Sequence, residues 1–434
     1  MMKMSRTTRV AVTGVAGGGK TVFLTSLLWH LAEFSGSDFS LPNELKLRGW
    51  REIPVSGSPR DHFPLDRYRE MLARNAEWPE KTTASGRFVC EYDRSDWKFF
   101  RQRLSFLDFP GERVADAAIA AFPDYDKWSE HMLWHWDNHA DYRAAAEPFL
   151  AVAAREDATE AELILEYKKA LARLIIGFKP LVTPSVFLLD EEGMTAAKKD
   201  VDALAEERFS GLEGEEFCPL PETARARFPD FGRRFKRYRR QVVLPLFKEL
   251  ARSHALVALV DIPALLAGGV GRYNDNRQIM LDLIETMRPE TTLGGKIMSM
   301  LKLKKSSLRR VAFVASQCDL VHPKDIENGN LQSLLRDMNA RAKGLLHDMR
   351  IEWFTSTACR STREGKEPYV LVGRLQHGEG GQTEFPVTPL PDQWPGDWQA
   401  GTYRYQRVMP ETKRNLQNPP EHINLDRVFE FIAG

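Results

Sequence analysis

The chain carries the stretch RVAVTGVAGGGKTVFLTSLLWHL at residues 9–31, and this stretch decides the fold. Residues 9–13 are a short, largely β-branched run that predicts a buried strand, and apolar residues recur at helical spacing beyond residue 21. Between them, residues 14–21 read GVAGGGKT, a complete G-x-x-x-x-G-K-[ST] motif. A strand, a glycine loop and a helix in this order predict a phosphate-binding P-loop.

The residues of this loop are of the types that phosphate binding requires. Glycines let backbone N–H groups close around phosphate oxygens, and the helix N-terminus adds partial positive charge. Lys20 can reach the β- and γ-phosphates, and the hydroxyl of Thr21 can ligate Mg²⁺. The candidate nucleotide-binding residues in this segment are Gly14, Ala16, Gly17, Gly18, Gly19, Lys20, Thr21 and Val22.

A second motif follows two alternating segments, residues 87–92 and 97–107, that predict a β-hairpin. The second segment ends in DFPG at residues 108–111, which matches the D-x-x-G switch of P-loop GTPases. Asp108 can hold Mg²⁺, and the N–H of Gly111 can contact the γ-phosphate. A reversed strand before this motif favours a Ras-like sheet over the sheets of many ATPases.

A third motif follows the apolar strand predicted at residues 311–315, where GTPases carry N/T-K-x-D. Here the chain reads Ser316-Gln317-Cys318-Asp319. Asp319 can accept from N1–H and the 2-amino group of guanine, a donor pair that adenine lacks, although a strand-end Asp can also simply cap a turn. Gln317 replaces the Lys that lies over the base. Ser356 and Thr357 follow the next predicted strand, where backbone N–H groups commonly contact guanine O6.

Composition excludes several classes of protein. The chain has 434 residues and a net charge of +1, which gives no overall attraction to nucleic acid or acidic membranes. Four cysteines without C-x-x-C spacing argue against a disulfide framework or zinc site and fit a reducing cytosol. The first ten residues lack the apolar segment of a signal peptide, and we expect no membrane-spanning helix.

Residues 112–250 interrupt the nucleotide-binding pattern with a series of predicted helices. The aromatic residues of this insertion, such as Trp128, Trp134, Trp136 and Phe149, are expected to form its own core. A basic run at residues 233–240 could bind nucleic acid or anionic lipid, but we favour a solvated helix face with acidic partners elsewhere. Residues 301–310 form a second basic run.

These patterns predict an α/β chain with a Ras-like P-loop sheet and helices on both faces. Residues 1–111, with a loop-rich insertion at 34–78, and residues 251–360 form the two parts of the core. Residues 112–250 form a large helical insertion, residues 361–420 an irregular or β-rich extension, and residues 421–434 the closing helix of the core.

The chain resembles the YcjX family of stress-associated bacterial P-loop proteins, once described as ATPases. The resemblance rests on GVAGGGKT at 14–21, WPEKT at 78–82, LDFPGER at 107–113, STRE at 361–364 and the F-P…P-x-P…W-P pattern at 385–395. It implies a Ras-like domain with additions, GTP and GDP binding with Mg²⁺, and a bacterial cytosolic setting. A membrane-side protein partner is also an implication of this resemblance.

The most consistent interpretation is a slow GTP hydrolase that acts as a switch. Lys20 and Mg²⁺, held by Thr21 and Asp108, would stabilise charge on the phosphoryl oxygens, and Gly111 would sense the γ-phosphate. Glu112 stands where Ras-like switches often place a water-orienting Gln, so intrinsic turnover should be slow. Thr82 is the candidate switch Thr that closes over Mg²⁺, and Thr83 is the alternative.

Two other functions remain open at this point. An ATPase with the same P-loop chemistry is favoured by Gln317. A nucleotide-independent scaffold, built on the helical insertion and the basic runs, is the second alternative.

Overall fold

The computed structural model describes residues 4–14, 17–33, 39–41, 47–55, 62–79, 85–94, 100–177, 200–206, 215–287, 307–377, 381–411 and 415–434. The chain divides into two compact units. The first comprises Met1–Gly111, Arg252–Val270 and Ser307–Gly434, and the second comprises Glu112–Ala251 and Gly271–Ser306. The structure therefore groups residues 271–287 with the helical unit, whereas sequence analysis grouped them with residues 251–360.

The first unit is built on a seven-stranded sheet in the order β2-β3-β4-β1-β5-β6-β7. Strands β1, β4, β5, β6 and β7 are parallel, β3 is antiparallel to β4, and β2 is antiparallel to β3. The strands are β1 Met4–Thr13, β2 Leu47–Glu52, β3 Gly86–Arg94, β4 Phe100–Asp108, β5 Ala255–Val260, β6 Arg310–Ala315 and β7 Arg350–Thr355. This mostly parallel α/β sheet, with its reversed strand before the D-x-x-G motif, confirms the predicted Ras-like fold class.

Helices cover this sheet and bury its apolar strands. Helix α1, Lys20–Ala32, is buried on most of its circumference, since nearly every residue from Phe23 to Leu31 is inaccessible. The C-terminal helix Leu425–Ala433 contributes Val428, Phe429 and Ile432 to the same core. The other helices of this unit are α2 Leu65–Glu70, with a π-turn Met71–Asn75, and Pro323–Glu327, Asn330–Met338 and Ala340–Leu345.

The extension predicted at residues 361–420 contains a small second sheet. Strand β9, Val370–Leu375, is antiparallel to β8, Thr362–Glu364, β10, Gln382–Pro386, and β11, Val408–Met409. Hydrogen bonds connect this extension to Leu266 and Ala267, which follow β5. Trp398 Nε1 donates to Leu266 O at 2.9 Å, and Gly401 N–H donates to Ala267 O at 2.9 Å.

The second unit is helical among its described residues. Its elements are a 3-10 turn Gly111–Asp116, the helices Ala117–Ala121, Tyr125–Asp137, Ala140–Ala154, Glu160–Gly177, Val201–Glu206, Glu222–Arg225 and Pro229–Tyr238, a π-turn Arg239–Val243, and Leu244–Ala251. The helix Ile262–Met287 leaves the first unit and enters the second, with a break in helical geometry at Gly269.

Aromatic side chains form the core of the helical unit, as expected for Trp128, Trp136 and Phe149, which are all buried. Trp134 was also placed in this core, and that expectation is wrong because its side chain is 58% exposed. Trp134 therefore lies on the solvent face of its helix, where Asn138 Nδ2 donates to its backbone carbonyl at 2.7 Å.

The basic run at residues 233–240 has partners within the helical unit, which supports the interpretation we favoured. Arg234 pairs with Glu160, Arg237 pairs with Glu215, and the guanidinium of Arg239 donates to two backbone carbonyls at 3.0 Å. Three arginines of the run therefore bind acidic side chains or backbone carbonyls of the helical unit.

Strand β2, Leu47–Glu52, was not predicted. Residues 34–64 looked loop-rich, but β2 pairs with β3 at the sheet edge, with a register shift between Arg48 and Arg51. Gly49 lies in this shift with φ of 61°, a conformation that glycine adopts readily. The polar sequence of β2 lacks clean alternation, which is why the pattern did not reveal it. Among the described helices, none has both the length and the apolar character that crossing a membrane requires.

Candidate functional site

Three glycines of the loop after β1 adopt positive φ values that favour glycine. Gly14 has φ of 143°, and a Cβ there would lie 2.4 Å from the carbonyl oxygen of Leu259 in β5. Gly17 and Gly19 adopt left-handed φ values of 84° and 79°. The sequence needs glycine at these positions because larger residues would clash or be strained. Ala16 lies outside the described residues.

Lys20 and Thr21 are the first residues of helix α1, which begins where Phe23 N–H donates to Gly19 O at 2.8 Å. Lys20 is only 8% exposed, which is unusual for a lysine. Thr21 and Val22 are half-buried. The N–H groups of a first helical turn and a held ammonium group make this end of the helix suited to a phosphate.

Asp108 lies beside the start of this loop because β4 is parallel to β1 and ends next to it. Val12 pairs with Asp108 in the register, and Phe109 N–H donates to Val12 O at 3.0 Å. Asp108 is fully buried. A threonine hydroxyl and one carboxylate are oxygen donors of the kind that Mg²⁺ uses together with phosphate and water. The donor set of Thr21 and Asp108 therefore fits Mg²⁺.

Residues given catalytic roles are only partly described. Gly111 opens the 3-10 turn Gly111–Asp116, directly after the D-x-x-G motif. The side chain of Glu112 lies outside the described part of the structure, and so do Thr82 and Thr83. Within the described ranges, no three or more His, Cys, Asp or Glu residues cluster as a metal site.

The segment after β6 reaches across to the P-loop, although it departs from N/T-K-x-D. Ser316 Oγ donates to Gly18 O at 3.0 Å, and Gln317 Nε2 donates to Gly17 O at 3.3 Å. Gln317 adopts φ of 55°. A hydroxyl and an amide therefore tie the third motif to the backbone of the first.

Two charged residues that sequence reasoning did not assign lie at this junction. Gln317 Nε2 also donates to Asp261 Oδ2 at 2.9 Å, and Arg407 Nη1 donates to Gln317 Oε1 at 3.0 Å and Asp261 Oδ2 at 3.1 Å. Asp261 Oδ1 accepts from Ala264 N–H at 3.0 Å. The strand-end Asp-Ile-Pro at 261–263 could have indicated Asp261, but nothing in the sequence indicated Arg407.

Asp319 is held from both sides in a buried position. Its Oδ1 accepts from the hydroxyl of Thr357 at 2.8 Å, and its Oδ2 accepts from the N–H of Ser361 at 2.8 Å. An ionised carboxylate has about four lone-pair sites, so each oxygen retains capacity for a further donor. Asp319 is therefore oriented by its two hydrogen bonds and keeps lone pairs that these bonds do not use.

Burial shifts the pKa of both titratable side chains in the segment after β6, Cys318 and Asp319. Burial raises the pKa of the Asp319 carboxyl above its ordinary value, and the hydrogen bonds from Ser361 and Thr357 oppose that rise. Burial likewise raises the pKa of the neighbouring Cys318 thiol to about 12. Burial therefore disfavours the thiolate of Cys318, which is the form that acts as a nucleophile.

The segment after β7 meets Asp319, but through other groups than those expected. The Thr357 N–H, expected at guanine O6, donates to Ile423 O at 3.1 Å, and Ser356 Oγ donates to the same carbonyl at 2.8 Å. The Thr357 hydroxyl and the Ser361 N–H hold Asp319 instead. Ser361 belongs to the STRE segment at 361–364, a signal that sequence analysis noted without assigning it a role.

All four free cysteines, Cys90, Cys218, Cys318 and Cys359, are buried. A buried thiol in an apolar setting behaves as a small hydrophobic residue. They contribute packing, and within the described ranges they join no cluster of metal-ligating residues.

Comparison with known proteins gives consistent matches over the whole chain. The family model described as "YcjX-like family, DUF463" matches residues 8–434. A protein of Escherichia coli (strain K12) named "Ras-like GTPase YcjX" is 24% identical over 471 residues, which cover 99% of this chain and 96% of that protein. A protein of the same name from Shewanella oneidensis is 24% identical over 472 residues, which cover 98% and 94%.

Proposed function

The chain belongs to the YcjX-like family, DUF463, and from this premise we propose that it binds GTP and GDP and hydrolyses GTP slowly. The names of the two relatives support a Ras-like GTPase. The observation that carries the proposal is a convergence at one edge of the sheet. The P-loop, the buried Asp108 and the oriented Asp319 all follow the carboxyl ends of parallel strands, where such sheets bind ligands.

The phosphates would be bound by residues 14–21. Backbone N–H groups of the loop and the first turn of α1 face the β- and γ-phosphates, and the Lys20 ammonium neutralises their charge. Thr21 and Asp108 would hold Mg²⁺, which, when bound, supplies electrostatic stabilisation of the transferring phosphoryl group. Thr82 is the proposed switch residue on the same ion.

Hydrolysis would be slow because of the residue beside Gly111. Gly111 N–H would contact the γ-phosphate, and Glu112 would orient the attacking water. A carboxylate repels the phosphate charge that a glutamine would tolerate, so turnover would depend on a partner or on Arg113. Base selection would rest on Asp319, with Gln317 over the base and the segment at Ser356 and Thr357 beside it.

Nucleotide competition tests this proposal. A fluorescent GDP analogue would be bound to the purified protein with Mg²⁺ and displaced by unlabelled GTP or ATP. We expect GTP to displace it at a concentration at least tenfold lower than ATP, about 1.4 kcal/mol in favour of guanine. Equal displacement by both would favour the ATPase alternative, for which Gln317 is the specific observation. Absence of any nucleotide binding would favour a scaffold.

We further propose that the protein acts as a nucleotide-dependent switch in a bacterial stress response. The helical unit begins at Glu112, directly after the glycine that would sense the γ-phosphate. Hydrogen exchange of residues 113–122 should differ between the GDP-bound protein and the protein with a non-hydrolysable GTP analogue. The same protection in both states would make the helical unit a static platform.

The setting of this activity is proposed to be the bacterial cytoplasm, with a membrane-associated protein as partner. Four buried cysteines that form no disulfide favour a reducing compartment. Co-purification from the native organism with and without a non-hydrolysable GTP analogue would test whether a membrane protein is retained in a nucleotide-dependent manner.

A further inference from the structure

A basic cavity lies at the amino ends of the central parallel strands, at the edge of the sheet opposite the P-loop. Its volume is about 400 Å³. Its lining residues come from β1, from the residue just before β5, and from the first residue of β6 and the segment before it. They are Arg6, Thr7, Thr8, His254, Ser307, Arg309 and Arg310. The six-residue strand β5 separates this edge from the nucleotide edge by roughly 20 Å. The cavity is therefore distinct from the candidate nucleotide site.

Backbone hydrogen bonds hold these cations in a row. His254 N–H donates to Arg9 O at 2.7 Å, and Arg309 N–H donates to His254 O at 2.9 Å. Arg9 N–H donates to the His254 ring at Nδ1, at 3.0 Å. Arg310 pairs in register with Arg350 of β7. The cationic residues are thus positioned by the ladder of the sheet and not by loose loops.

Among the described residues, the charges that act on His254 and Arg310 in this cavity are positive. Burial lowers the pKa of His254, and the charges of Arg9, Arg309, Arg310 and Arg6 lower it further. Burial also lowers the pKa of the Arg310 guanidinium, with added contributions from Arg350 and Arg6. The contributions of the neighbouring arginines report a positive potential at the site, which an anion would relieve.

Arg310 and His254 both line the cavity and carry hydrogen-bond donors. Guanidinium groups match phosphate oxygens with paired N–H donors, and neutral His254, which accepts at Nδ1, can donate from Nε2.

We propose that this cavity is a second anion site that binds a phosphate-bearing molecule. Converging guanidinium groups provide the paired donors, and Thr7, Ser307 and His254 provide neutral donors around them. A cavity of this volume admits a phosphate group together with part of the molecule that carries it. A soluble phosphorylated compound and the headgroup of an anionic phospholipid share this chemistry.

The test compares the full-length protein with a double variant, Arg309→Ala with Arg310→Ala. Pyrophosphate would be titrated calorimetrically in the presence of saturating GDP and Mg²⁺, and any residual binding at the P-loop is common to both proteins. We expect the double variant to lose at least tenfold in pyrophosphate affinity. Arg310→Lys should lose less, because it retains the charge but not the paired donors. The matched control, Arg336→Ala, removes an exposed arginine of the same unit outside the cavity and should bind as the parent does.

A thermal measurement distinguishes an anion site from a structural role of these arginines. In phosphate-free buffer the double variant should unfold at the same or a higher temperature than the parent, because like charges have been removed. Pyrophosphate should raise the unfolding temperature of the parent and not that of the double variant. If pyrophosphate stabilises the two proteins equally and binds them with equal affinity, it has no site in this cavity.

Vesicles distinguish the two sources of phosphate. Phosphatidylcholine vesicles with and without phosphatidylglycerol would be sedimented with each protein. Sedimentation of the parent but not of the double variant with phosphatidylglycerol assigns the cavity to a lipid headgroup, whereas pyrophosphate binding alone assigns it to a soluble compound. No difference between parent and double variant in either assay would overturn the proposal.

Discussion

The two halves of the candidate nucleotide site are built in different ways. The phosphate half, residues 14–21 with Asp108, is almost continuous in the sequence and keeps its consensus. The base half, residues 316–319 with Asp261, Thr357, Ser361 and Arg407, departs from its consensus. Its contacts join residues far apart in the chain, such as Gln317 with Gly17 and Arg407 with Gln317.

This difference follows from what each half must recognise. A phosphate can be bound by backbone N–H groups, which a short glycine-rich segment supplies by itself. A base must be read by side chains from several strands, so different residues can reach the same position. Here a serine hydroxyl and a glutamine amide both contact carbonyls of the P-loop. A local motif is therefore a strict requirement for phosphate and a flexible one for the base.

Replacing Lys20 should give the largest effect, because it removes charge from the phosphate half. Lys20→Ala should weaken binding of the Mg-triphosphate by at least tenfold, about 1.4 kcal/mol, for GTP and ATP alike. Isothermal titration measures this loss. Lys324→Ala, which removes an exposed lysine of the same unit, is the control and should bind normally. Unchanged affinity in Lys20→Ala would show that the phosphates bind elsewhere.

Replacing Asp319 should change base preference and not overall phosphate binding. An unpaired buried polar group costs about 1–3 kcal/mol, and two guanine donors lose their acceptor in Asp319→Ala. The ratio of GTP to ATP affinity should therefore fall close to one. Any general loss of structure affects both nucleotides, so the ratio isolates the base. The control is Asp337→Ala, which replaces an exposed aspartate. If Asp319→Ala keeps the parent's ratio of GTP to ATP affinity, Asp319 does not recognise the base.

The base half should also respond to pH. Burial raises the pKa of Asp319, and a protonated carboxyl loses the acceptor pair that guanine needs. The preference for GTP over ATP should be full well above this raised pKa and should decline as the pH is lowered from neutral toward it. Protonation of the phosphates affects both nucleotides equally. A ratio that stays constant over this range would indicate that the ionised carboxylate is not the reader.

Replacing Arg407 should give the smallest effect, since Gln317 keeps its bonds to Gly17 and Asp261. Arg407→Ala loses one charge-assisted contact that is partly exposed to solvent, so GTP affinity should fall by about threefold to tenfold. ATP affinity should fall less if Gln317 packs on guanine held by Asp319. Arg404→Ala, an exposed neighbour in the same segment, should have no effect. If Arg407→Ala and Arg404→Ala bind GTP and ATP with the same affinities, Arg407 does not contribute to base recognition.

Sequence patterns predicted the elements of this fold wherever the local pattern was strong. Strands β5 and β6 are buried apolar runs, as expected for strands that helices cover on both faces. The strands predicted at residues 9–13 and 311–315 lie within the observed β1, Met4–Thr13, and β6, Arg310–Ala315. Strand β2 was missed because an edge strand with a bulge carries little alternation. Trp134 was misplaced because helical spacing alone could not tell which face of its helix meets the core.

The sequence by itself determined the P-loop, the order of the motifs and the α/β class, because each depends on residues that are neighbours in the chain. Only the tertiary structure revealed that Thr357 and Ser361 orient Asp319, that Arg407 and Asp261 hold Gln317, and that arginines of separate strands share one cavity. These groups meet because parallel strands bring distant residues to a common edge of the sheet. Side-chain hydrogen bonds and charge at such an edge depend on proximity in space, which spacing along the chain does not encode.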